Sequence, residues 1–125
     1  MSFSIKSADA GQLRAYAVQL MAKENWYERQ QFEELVVFRY DDLLFAMLDL
    51  MRSTEIIYEF DWIAFGKQAE QLVAQRELLE KADMETMRKL FTAHSRNESL
   101  KDGHMAEMID EGHLKLAVKR LIALL

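Results

Sequence analysis

From Asp83 to Leu125, apolar side chains return every three or four residues through three helix-length segments, and this spacing constrains the fold more than any other feature. Met84, Met87, Leu90, Phe91 and His94 share one helical face, with Asp83 placed to cap the first turn through its carboxylate. Ser99, followed three residues later by Asp102, reads as the next start signal, a capping box built with Asp. A short helix then carries Met105, Met108 and Ile109. Gly112 closes it, because glycine enters the left-handed conformation without a steric penalty. The last segment turns Leu114, Val118, Leu121, Ile122 and Leu125 inward and Lys115, Lys119 and Arg120 outward.

The same periodicity runs upstream. Ser7 is expected to cap a first helix with Leu13, Tyr16, Ala17, Leu20 and Met21 on one face, and Gly11 weakens its first turn. The segment from Asn25 predicts a helix to about Leu35, then an extended stretch through Val36, Val37, Phe38 and Tyr40. Asp41 is expected to cap a strongly apolar helix ending near Ser53, followed by a connector from Thr54 to Phe60 that dips Ile56 and Ile57 into the core. A helix beginning at Asp61 turns Trp62, Phe65, Ala69, Leu72 and Val73 inward, with Trp62 as a core anchor. Gln75 to Lys81 reads as a polar break. The absence of proline and the presence of only four glycines argue against a turn-rich β fold. Eight methionines suit irregular gaps between crossing helices. The expectation is a single all-α domain over residues 1–125, a bundle of five to six helices without a regular sheet.

Composition narrows the function. Half the residues are apolar and 30% are charged, as in soluble globular proteins. No cysteine is present, so neither a disulfide nor a thiolate metal site is possible. No apolar run approaches the ~20 residues that span a bilayer, and the N-terminus lacks an export signal, so a cytoplasmic protein without a membrane partner is expected. From Asn25 to Asp61 nine acidic residues face three basic ones, whereas from Thr86 onward five acidic residues face seven basic ones. That balance disfavours direct nucleic-acid binding, which needs a concentrated basic face. An acidic face that imitates nucleic acid against a defence or nucleic-acid-handling complex is one alternative.

His94, His104 and His113 are separated by ten and nine residues, which matches no compact metal chelate; each reads as a lone histidine, and no metal or other cofactor is expected. Arg96, Lys101, His104 and His113 form a candidate anion site, since the Asn97 to Asp102 loop offers unpaired N–H groups at a helix start. Asp110 and Glu111 are adjacent on a helix surface and read as solvated charge, so no catalytic residue is assigned.

The run FDW from Phe60 to Trp62, then ELLEKADMETMRKLFTAHSRN, GHMAEMIDEGHL and a closing basic-apolar helix, resembles a family of small bacterial proteins catalogued as domain-of-unknown-function family 6508. The likeness covers Phe60 to Leu125 and, more weakly, the Tyr40-Asp41 region. Arg96, Gly103, His104, Gly112 and His113 match the family pattern. Ser99 and Leu100 stand where the family carries an Arg-Phe pair, so a ligand role for that arginine does not transfer. The resemblance implies a compact helical domain of no known activity. The expected function is a non-enzymatic interaction or regulatory module of the bacterial cytoplasm. Its partner is another protein or a second copy, meeting it through Leu44, Met47, Leu48 and Met51 or through the C-terminal helix. The alternative is a site for a small anionic ligand, binding or catalytic, at Arg96 and the Gly103-His104 and Gly112-His113 loops.

Overall fold

The seventeen-residue helix α5 (Met84–Leu100) forms where the pattern predicts, with the Asp83 carboxylate accepting from the Thr86 N–H at 2.8 Å. In the computed structural model, which describes residues 3–125, it lies among α3 (Gly66–Ala74), α6 (His104–Asp110) and α7 (His113–Leu124). The last of these also packs on α1 (Ser7–Met21) and α4 (Arg76–Glu80), and α1 packs on α2 (Asp42–Ser53). Leu90, Phe91, Leu114, Val118 and Leu121 are fully buried at the centre. Five methionines, Met47, Met51, Met87, Met105 and Met108, fill the spaces between crossing helices. No helix among the described residues is long and apolar enough to cross a membrane.

Asp41 caps α2 as expected, its carboxylate accepting from the Leu43 N–H at 2.9 Å, and the helix ends at Ser53. Leu44, Met47, Leu48 and Met51 are buried in the chain's own core, which leaves no surface of theirs for a partner; the exposed apolar residue of that helix is Phe45.

The chain departs from an all-α reading between Tyr27 and Tyr40. Strands β1 (Tyr27–Phe32) and β2 (Leu35–Tyr40) form an antiparallel hairpin pairing Tyr27 with Tyr40 and Phe32 with Leu35. The fold is therefore mostly helical with a small sheet, and seven helices occur among the described residues. Its two-residue turn places Glu33 at φ 54°, where a glycine ordinarily sits. A missing glycine thus raised the strain of this turn without preventing it. β2 does carry a strand signal in sequence: Val36, Phe38 and Tyr40 face inward while Leu35, Val37 and Arg39 face out. YERQQF has no such alternation, and its backbone is ordered by pairing to β2.

Smaller corrections share a cause, that local signals lost to tertiary packing. Ser7 is already helical and caps nothing. Residues from Asp61 make a turn, closed by the Ala64 N–H on the Asp61 carboxylate at 3.3 Å, before α3 begins at Gly66. Trp62 is consequently half-buried rather than a core anchor; the core tryptophan is Trp26, 1% exposed. Inside the expected polar break, α4 buries Leu79.

Candidate functional site

Two glycines set the site's geometry. Gly103 (φ 95°) and Gly112 (φ 78°) both adopt the left-handed conformation, and each is followed at once by the first residue of a helix, His104 of α6 and His113 of α7. These corners fold the two imidazoles back onto α5, where His94 is 2% exposed. The Nδ1 of His94 lies 2.9 Å from the Nε2 of His104, and its Nε2 lies 2.8 Å from the Nε2 of His113. Three histidines that read as unrelated in sequence are one hydrogen-bonded row.

Burial keeps the row neutral. It depresses the His94 pKa well below the ordinary value, with the other two imidazoles adding to the effect. His113 is pushed down to about 4 by burial and then by His104. His104 is lowered by burial even though Glu98 and Glu107 oppose the shift. Because His94 presents opposite ring edges to its neighbours, the three rings share no common focus. Among the described residues, no three His, Cys, Asp or Glu side chains are arranged to hold a metal ion.

His94 and His104 open onto a cleft of about 660 Å³ between α3, α5 and α6. Trp62, Ile63, Val73 and Met108 give it apolar walls; Asn97, Glu70 and Glu111 add polar groups, and no lysine or arginine lines it. Ile63 is largely exposed at its edge. Trp62 reads in sequence as a core anchor and Glu70 carries no local signal, so neither is legible there as a site residue.

The expected anion site takes another form. Asn97 to Leu100 are helical, so Ser99 cannot start α6; its hydroxyl donates instead to the Ser95 carbonyl. The Glu98 carboxylate fills the corner, accepting from the Gly103 N–H at 3.0 Å, the Met105 N–H at 2.7 Å and the Tyr40 hydroxyl at 2.7 Å. The Tyr40 oxygen accepts in turn from the Ala106 N–H at 3.1 Å. Burial, and then the bond to Glu98, raises the Tyr40 pKa. An anion would meet a carboxylate already holding the donors it needs. Arg96 is exposed and lines a separate hollow with Arg52 and Tyr58, so it does not join His104 and His113. Part of the acidic surface is likewise neutralised locally, Asp41 by Lys23 at 2.7 Å and Asp49 by Arg52 at 2.8 Å.

No curated protein and no solved structure matches the chain. The model of the family of unknown function DUF6508 matches residues 6–125, extending the likeness from the C-terminal half to nearly the whole sequence, hairpin included, and the chain belongs to that family.

Proposed function

We propose that the chain is a small-molecule-binding protein whose ligand is a neutral or positively charged organic molecule seated in the cleft between α3, α5 and α6. The observation that carries this reading is the cleft's lining: two neutral imidazoles, the Trp62 ring and the carboxylates of Glu70 and Glu111, with no basic side chain. An apolar pocket holding a few convergent polar groups is the usual form of a ligand site. An aromatic face and carboxylates attract a cation, while a neutral imidazole nitrogen accepts from an ammonium N–H. Benzylamine and benzoate, of similar size and opposite charge, test the sign. At ten times its Kd benzylamine should raise Tm by about 5 °C, benzoate should not, and Trp62→Ala should abolish the difference. Equal or stronger stabilisation by benzoate would overturn the assignment.

The hairpin supports a second reading, the interaction module expected from sequence, with a second copy of the chain as partner. Among the described residues neither outer strand edge has a paired strand, and Phe32 (58% exposed) and Leu35 (63%) stand at the tip. On this reading the wild type sediments as a dimer at micromolar concentration and Phe32→Ser with Leu35→Ser returns it to a monomer; a monomeric wild type removes it.

A further inference from the structure

His94 has both of its nitrogens engaged by other imidazoles and is only 2% exposed at the floor of the cleft, while the rings on either side of it each keep one nitrogen outside the row. Neither the Nδ1 of His104 nor that of His113 bonds to another described side chain or backbone group. Among the described residues, the one side-chain nitrogen or oxygen both sealed away and unpartnered is Trp26 Nε1. His104 is half-buried and His113 is 4% exposed, so each outer ring reaches some solvent. They do so at different places, since His104 lines the cleft and His113 does not.

We propose that His104, His94 and His113 form a proton wire, in which His104 exchanges a proton with the molecule in the cleft and His113 exchanges one with bulk solvent. The proposal rests on the ligand reading above and assigns that site an activity: proton transfer on a small molecule bearing an N–H or an acidic C–H.

A neutral imidazole carries one N–H and one lone pair, so a row of three has two self-consistent arrangements. In the first, the Nδ1 of His104 is bare and every ring donates toward His113, whose Nδ1 holds the outermost hydrogen. When the ligand gives a proton to His104 Nδ1, the hydrogen on His104 Nε2 passes to His94 Nδ1. The hydrogen on His94 Nε2 then passes to His113 Nε2, and the one on His113 Nδ1 leaves to water. One proton enters, one leaves, no electrons are transferred, and each ring ends neutral with its tautomer reversed. His104 now holds an Nδ1–H and is set to return a proton to a second atom of the same ligand, while water supplies one at His113. Removal followed by return is the proton accounting of a tautomerisation, and only water is needed as co-reactant. The charged groups facing the row are Glu98 on α5, Lys101 in the corner, Glu107 on α6, Glu111 at its end, and Glu70 on α3 across the cleft. Burial of the middle ring disfavours a resident imidazolium, which suits passage by exchange of hydrogens.

The test is nitrogen NMR on the full-length, 15N-labelled protein. Scalar couplings across the two N–H···N bonds are expected between His94 and each neighbour, and the ring signals of His104 and His113 should titrate together. In His94→Phe, and in His94→Leu should the first variant fold poorly, the two outer rings should titrate separately. Benzylamine added to the wild type should shift the His113 ring as well as the His104 ring; in the His94 variants it should shift His104 alone. Absence of both couplings, or independent titration of the outer rings in the wild type, overturns the wire. So does their disappearance on stoichiometric Zn²⁺ binding, which would make the rings a ligand set. If couplings and joint titration are present but benzylamine shifts no ring, the wire stands and the cationic-ligand reading falls.

Discussion

Lowering the pH from 7 to 4.5 removes about 2 kcal/mol of folding stability through His113, since its pKa falls from the ordinary 6.5 to about 4 in the fold, each unit is worth about 1.4 kcal/mol, and most of that shift is traversed by pH 4.5. In that window the unfolded chain binds the proton and the folded chain does not, so stability rises with pH and is lost on acidification. His94, also held neutral by burial, contributes with the same sign. Carboxylates act lower down. Asp41, held low by its bond to Lys23, Asp83, by its bonds to Thr86, and Glu85, by Tyr58, stabilise the fold above their unfolded values near 4 and lose that effect only below about pH 4.5. The interval between pH 6.5 and 4.5 therefore isolates the histidines. Urea midpoints across it should fall steeply for the wild type and less steeply for His113→Gln, which removes one titrating ring. Stability that is flat from pH 7 to 4.5 would mean that folding leaves the rings' pKa values unchanged, so that they take up protons as readily in the fold as in the unfolded chain.

The helices that sequence placed best are those whose start signal and apolar stripe agree. Asp41 and Asp83 each make the capping bond their position implies, and the faces of α2 and α5 bury the residues the spacing selects. Where the two signals separate, the reading fails. Trp62 is apolar and follows a capping residue, yet the chain completes a turn there before α3, and the ring is left beside the cleft. Glu98 is the clearest case of a role hidden from local inspection. In sequence Glu98 falls with Asp102 in the expected loop, as a carboxylate that would oppose a bound anion, and nothing local names its partners. Its donors come from the next helix, through Gly103 and Met105, and from a tyrosine fifty-eight residues away. The histidine row is hidden for the same reason. Spacings of ten and nine exclude a local motif, and only the two glycine corners, which reverse the chain onto α5, bring the rings together. The glycines were legible as punctuation; what they aim was not.

Gly103→Ala should cost about 3 kcal/mol and Gly112→Ala about 1 kcal/mol, although both glycines sit at positive φ and both precede a site histidine. The left-handed conformation disfavours an alanine at either corner by about 1–2 kcal/mol. Only Gly103 has a neighbour in the way: a Cβ there would meet the Phe38 ring at 2.6 Å, whereas at Gly112 nothing lies within 4 Å. Phe38 cannot swing aside independently, because its ring leans on Tyr27, whose hydroxyl donates to Asp110 at 2.7 Å. Displacing it also pulls on the Gly103 N–H that donates to Glu98, so the corner and the hairpin shift together. Urea unfolding with unchanged m-values measures both losses. Loss of the His94–His104 coupling in Gly103→Ala, but not in Gly112→Ala, would tie the hairpin to the aim of His104. Equal losses of stability would show that Phe38 yields freely, leaving the hairpin as an appendage that the histidine row does not need.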